Sequence, residues 1–183
     1  RANISTGTSP TIISSGTNSS NDTRILFTDQ DIILVRGMES GSSTMNLQTT
    51  RKFRDPAAWY HIVLAVDTTQ ATSSNRVKLY VNGSQVTDFG TEEYPSQNLD
   101  LYANHSSSTE KIGVLSYSAS NFFDGYLAEF HSIDGTQKQA SDFGETGSNG
   151  RWKPKAYSGT YGTNGFYLDF NNTSDLGEDQ SGN

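Results

Sequence analysis

Residues 59–83 read WYHIVLAVDTTQATSSNRVKLYVNG, and their hydrophobic rhythm decides the fold. Over residues 59–67, Tyr60, Ile62, Leu64 and Val66 form one face and Trp59, His61, Val63 and Ala65 the other. Both faces are largely apolar, as in a central strand covered on two sides. Over residues 76–81, Val77, Leu79 and Val81 alternate with Arg76, Lys78 and Tyr80, the period-two pattern of a half-buried strand. A long polar loop joins the two. Asn82-Gly83 follows, a pair that favours positive φ at both central turn positions, so residues 85–89 are expected to pair back as a hairpin. Residues 122–135, FFDGYLAEFHSIDG, predict a further strand over 122–133. Leu127 and Phe130 lie three apart there, so a bulge near Ala128-Glu129 is needed to put both inside.

Working outward, the first two dozen residues are rich in Ser, Thr, Asn and Gly and read as loop around one short strand, Thr11-Ile12-Ile13. Residues 24–27 and 31–35 are apolar runs separated by Thr28-Asp29-Gln30, a hairpin pattern. Residues 44–53 alternate Met45, Leu47 and Thr49 with Asn46, Gln48 and Thr50. Short strands are expected at 99–102, 111–115 and 166–170, and one helical turn at 140–143. A Gly/Tyr-rich excursion spans 147–165, and a polar tail spans 171–183. No stretch has the length and periodicity of a core-forming helix, so the chain reads as all-β and, at 183 residues, as one domain over 1–183.

Composition narrows the function classes. The net charge is −7 and the largest basic cluster is Arg51-Lys52-Phe53-Arg54, which argues against a nucleic-acid partner and reads as a solvated strand end. There are no cysteines, which removes disulfide scaffolds, thiolate zinc sites and cysteine nucleophiles. No run approaches the ~20 apolar residues of a spanning helix, so no membrane insertion is expected. His61, His105 and His131 show no metal-ligand spacing and accompany no nucleophile motif; they read as polar rings on half-buried surfaces.

The motifs Trp59-Tyr60-His61-Ile62-Val63, Lys78-Leu79-Tyr80-Val81-Asn82-Gly83 and Phe123-Asp124-Gly125-Tyr126-Leu127-Ala128-Glu129-Phe130 resemble the concanavalin-A-like, laminin-G-like superfamily. That resemblance implies a two-sheet antiparallel jelly-roll sandwich. The stretch from Phe53 through Asp55-Pro56 to Asn82, then Phe143-Gly144-Glu145-Thr146, Trp152-Lys153-Pro154-Lys155 and Tyr161-Gly162-Thr163-Asn164-Gly165-Phe166-Tyr167-Leu168, is similar, more narrowly, to such domains in structural and tail-fibre-like proteins of marine bacteriophages, cyanophages especially. Members of that group carry a Trp-containing strand upstream of the position of Arg1 and continue past the final Ser-Gly-Asn. The resemblance therefore implies an excerpt lacking its N-terminal strand. Residues 166–170 would pair with that strand, and without it would form an open edge.

The same resemblance implies a non-enzymatic structural or adhesion domain on a phage particle: tail fibre, tail accessory or capsid decoration. Its partners would be other virion proteins and further copies of itself, together with host surface glycan. The alternative is a secreted or cell-surface carbohydrate-binding module of a marine bacterium. Related glucanases carry Glu-x-Asp-x-x-Glu on one strand, whereas Glu129 here is followed by Phe130-His131-Ser132-Ile133-Asp134, so no hydrolytic carboxylate pair is expected. Calcium is the one ion the superfamily implies, with Asp67, Asp88 and Asp124 as candidate ligands and no EF-hand-type loop to supply the rest. No other cofactor is expected. Trp152, Tyr157 and Tyr161, in their Gly-rich segment, are the candidate glycan or partner contacts; packing at the end of the sandwich or on a neighbouring subunit is their other reading.

Overall fold

The computed structural model describes residues 2–4, 7–103, 105 and 107–182. In chain order the elements are β1 (Thr11–Asn18), β2 (Asn21–Phe27), β3 (Ile32–Glu39), β4 (Ser42–Lys52), β5 (Ile62–Val66), α1 (Ser73–Arg76), β6 (Val77–Val81), β7 (Ser84–Gln85), β8 (Phe89–Glu93), β9 (Thr109–Ile112), β10 (Phe130–Ser132), α2 (Ala140–Phe143), β11 (Gly144–Thr146), β12 (Trp152–Pro154) and β13 (Phe166–Leu168). The chain is nearly all β, and every strand pairing is antiparallel.

One large sheet runs β8-β4-β3-β2-β1-β9, and a smaller one runs β5-β6-β7. They pack face to face through the alternation legible in the sequence. Ile33, Val35, Met45 and Leu47 from the large sheet meet Val77, Leu79 and Val81 from the small one. Phe53 closes this core, edge-on to Phe27 at 5.7 Å and to Tyr60 at 5.2 Å. Thr49, on the inward face of β4, is satisfied in place: its hydroxyl accepts the Ile33 N–H at 3.1 Å and donates to the Arg51 carbonyl at 3.0 Å.

Asn82 and Gly83 adopt φ of 49° and 81°, the paired left-handed turn that Asn-Gly favours. The returning strand is shorter than expected: Ser84 and Gln85 pair with β6, the Val86 N–H adds one bond to the Leu79 carbonyl at 2.8 Å, and β8 crosses to pair with β4. The serine-rich N-terminus, expected as loop, holds two long strands. Its inward serines are paired, Ser14 with the Ser116 hydroxyl at 3.1 Å and Ser15 with the Tyr102 carbonyl at 2.6 Å, so polarity does not bar burial there. Residues 99–102 form no strand, although Leu101 is buried in the core.

The expected strand over 59–67 begins only at Ile62: the β5–β6 ladder ends where the Asn82 N–H donates to the His61 carbonyl, and among the described residues no backbone bond holds Trp59. The strand expected over 122–133 is laddered only at Phe130–Ser132. Residues 122–128 keep a two-residue alternation of exposure but form no ladder, holding isolated bonds from the Phe123 N–H to the Gly113 carbonyl and from the Ala2 N–H to the Asp124 carbonyl, both at 2.7 Å; the alternation breaks at Glu129, whose φ is 52°. That irregularity stands at the predicted bulge, and it carries Phe130 back to the side of Leu127.

Two ribbons complete the fold, β10-β13 and β11-β12. Residues 166–170 were expected to face a missing strand. Instead β13 pairs with β10, and the polar tail covers its other edge: the Gln180 N–H donates to the Tyr167 carbonyl at 2.8 Å, and the Tyr167 N–H to the Asp179 carboxylate at 2.9 Å. An open edge lies elsewhere.

Candidate functional site

One open edge is that of β5. Its register sets Ile62 against Val81 and Val66 against Val77. The Asn82 N–H donates to the His61 carbonyl at 2.8 Å, and the Asp67 N–H to the Arg76 carbonyl at 2.8 Å. Antiparallel ladders alternate between hydrogen-bonded and non-hydrogen-bonded pairs, so His61, Val63, Ala65 and Asp67 address β6. The backbone N–H and C=O groups of Ile62, Leu64 and Val66 therefore point away from it, and no backbone partner meets them among the described residues.

Across from β5, the same logic applies to β10. The backbone groups of Tyr167 are used by Asp179 and Gln180, so the opposed pair His131 and Tyr167 is of the non-hydrogen-bonded kind. The N–H and C=O of His131 consequently point away from β13.

Both edges border one cleft of about 1180 Å³. Residues 56–69 run along one side of it and residues 126–138 along another. Ile25, Phe27 and Phe123 supply apolar lining, and Trp59 and Tyr126, 66% and 80% exposed, stand beside it. Large aromatics left this open in water are the informative kind of surface residue.

The cleft is acidic. Asp67, Asp100, Glu110, Glu129 and Asp134 line it, against Arg24 and Lys138. Arg24 is spent on the buried Asp22 at 3.2 Å, and the Lys138 ammonium sits 5.9 Å from the Tyr157 ring. His61 and His131, both lining residues, are held below the ordinary histidine value, chiefly by burial. For His131, Glu129 pulls the other way and the nearby His61 adds a further lowering.

The candidate contact aromatics are drawn into packing. Trp152 lies over Gly83 and Gly144, 5.8 Å from His61, with its indole nitrogen buried and lacking an acceptor. Tyr161 is buried, and its hydroxyl meets His131 Nδ1 at 2.9 Å. Tyr157 stacks on Phe143 at 4.9 Å and donates to the Thr160 carbonyl at 3.0 Å. Tyr157 and Tyr161 thus share one cluster around His131; Trp152 serves the hairpin instead.

The candidate calcium ligands are not brought together. Asp67 accepts from Thr69 and Gln70, which hold its carboxyl below the usual range; Asp88 accepts from Thr50, and Asp124 from Asn3. Calcium requires six to eight oxygens. Among the described residues no group of three or more His, Cys, Asp or Glu side chains is placed to hold an ion. Nor is any helix among them long and apolar enough to cross a membrane.

Sequence reasoning passed over Arg76, whose guanidinium clamps the 67–76 loop through the carbonyls of Gln70, Ala71 and Pro95 at 2.8–2.9 Å. It also missed Trp59 as a surface residue. The signal available was its place directly after the Asp55-Pro56 turn, ahead of the strand proper.

Searches among curated proteins and solved structures find no match. Residues 2–141, which hold both sheets of the sandwich, match the family model Laminin_G_3, described as concanavalin A-like lectin/glucanases superfamily, and the chain belongs to that superfamily.

Proposed function

We propose that the chain is a non-enzymatic binding domain of a phage particle, a tail-fibre, tail-accessory or capsid-decoration module that engages another protein of the particle through the cleft between β5 and β10. Domains of this superfamily often mediate binding or adhesion. The observation that carries the reading is the cleft itself, with Trp59 and Tyr126 exposed beside it. The phage assignment is supported by the linked motifs around Asp55-Pro56, Trp152 and Tyr161.

Three of the five cleft carboxylates are engaged within the chain, which supports binding over hydrolysis. Asp67 is engaged by Thr69 and Gln70, Glu129 accepts from the Tyr167 hydroxyl at 2.7 Å, and Asp134 from Asn164 at 3.0 Å. Hydrolysis of a glycoside needs two carboxyl groups facing across a bond. These three are turn and loop acceptors.

The test is a parallel screen of the folded chain and its Trp59→Ala/Tyr126→Ala double variant. One arm is a glycan array with and without chelator; the other is a library of displayed extended peptides. Binding in either arm that disappears in the variant supports a recognition domain working through this cleft, and the arm that responds separates a particle-assembly contact from a carbohydrate-binding module. Binding unaffected in the variant, silence in both arms, or cleavage of a bound glycan overturns the proposal.

A further inference from the structure

We infer that the occupant of the cleft is an extended polypeptide strand bearing basic side chains, contributed by a neighbouring protein and hydrogen-bonded to β5 and β10. This rests on the cleft being the binding site and names what it binds.

Three observations lead to it. Ile62, Leu64 and Val66 on one wall, and His131 on the other, direct backbone N–H and C=O groups away from their own ladders. Such an edge is a template for another strand, and a polypeptide is the ligand that supplies donors and acceptors at matching intervals along both of its edges. The apolar lining by Ile25, Phe27 and Phe123 suits alternate apolar side chains of such a strand. Finally, five carboxylates against two cations, of which Arg24 is paired with Asp22, make the cleft complementary to lysine or arginine at the other positions. The inserted strand would join the β5-β6-β7 sheet to the β10-β13 ribbon.

Hydrogen exchange on the free chain comes first. The Val63 and Ala65 amides, bonded to β6, should exchange slowly; those of Ile62, Leu64, Val66 and His131 should exchange at least tenfold faster. Equal protection at all of them would mean the edges are already paired and would overturn the proposal. Next come three synthetic eight-residue peptides: one alternating lysine and valine, its glutamate–valine counterpart, and the lysine–valine peptide N-methylated at alternate residues along one edge. The lysine–valine peptide should bind and slow exchange at those four amides. The glutamate peptide and the N-methylated peptide should each bind at least tenfold more weakly.

Equal binding of the N-methylated peptide would overturn edge pairing, and equal binding of the glutamate peptide would overturn the charge argument. Failure of all peptides, with glycan binding that requires Trp59 and Tyr126, would overturn this inference and leave the cleft as the binding site. Loss of that dependence as well would remove both.

Discussion

Replacing Gly83 with alanine tests how the hairpin of the small sheet is locked. A Cβ built at Gly83 would stand 2.3 Å from Trp152 Cε3, inside any contact distance, and the residue's φ is 81°. The left-handed conformation alone costs a non-glycine residue about 1–2 kcal/mol. Forcing a methyl into occupied space adds about 1–3 kcal/mol. Gly83→Ala should therefore destabilise by about 2–5 kcal/mol, the sum of those two contributions. Trp152→Ala should cost less than the ~3–5 kcal/mol of a fully buried tryptophan. Its ring is half-buried, and removing it also removes a buried indole nitrogen that lacks an acceptor.

The double variant carries the argument. Without the indole only the backbone contribution remains, so Gly83→Ala in the Trp152→Ala background should cost about 1–2 kcal/mol, a coupling of about 1–3 kcal/mol. Urea unfolding followed by far-UV circular dichroism measures all four corners. An identical cost of Gly83→Ala in both backgrounds would refute the proposed lock.

Phe53→Ala, at a fully buried ring between Phe27 and Tyr60, should cost about 3–5 kcal/mol and lower Tm by about 6–20 °C, measured by calorimetry. Burial keeps His61 and His131 below the ordinary histidine value of about 6.5, so the unfolded chain takes up protons first on acidification. Their contribution is complete above about pH 6.5 and is lost as pH falls toward their lowered folded values; urea titrations at pH 7.5 and 5.5 should show less stability at 5.5, with a smaller loss in His61→Leu. Asp67, Asp169 and Asp179, all held below the usual carboxylate range by hydrogen bonds, lose theirs only below about pH 3.9, a separate window. Asp179→Ala combined with Gln180→Pro uncovers the outer edge of β13 and should produce concentration-dependent association in sedimentation velocity, where an unchanged monomer-sized species would count against the tail as an edge cover.

The core was legible wherever side-chain period matched burial. Val77, Leu79 and Val81, and likewise Met45, Leu47 and Thr49, point inward as their alternation required, and Asn82-Gly83 made its turn. What escaped the sequence depended on partners distant in the chain. Ser14 and Ser15 read as loop because their partners, Ser116 and Tyr102, come about 90–100 residues later, and pattern within one segment carries no trace of them. Trp59 read as core because period alone cannot tell a strand buried on both faces from one that ends before its first aromatic. The open edge of β5 was equally hidden: the alternation of residues 122–128 predicts a strand, yet it does not show whether that strand finds a neighbour. For Trp152 the sequence left contact and packing both open, because its seat is made by two glycines, Gly83 and Gly144, whose contribution is the absence of a side chain.

The order of the large sheet also implies an order of assembly. From β1 to β4 each strand lies beside its predecessor, so the meander closes through short loops and can form early. β9 joins last in this scheme, since Ile13 must find Ile112 and a long loop carries a larger closure entropy. Chains emerging during synthesis would hold β1 with one side unoccupied until residue 112 arrived. A pulse-labelling experiment should find the β3 and β4 amides protected well before those of β9.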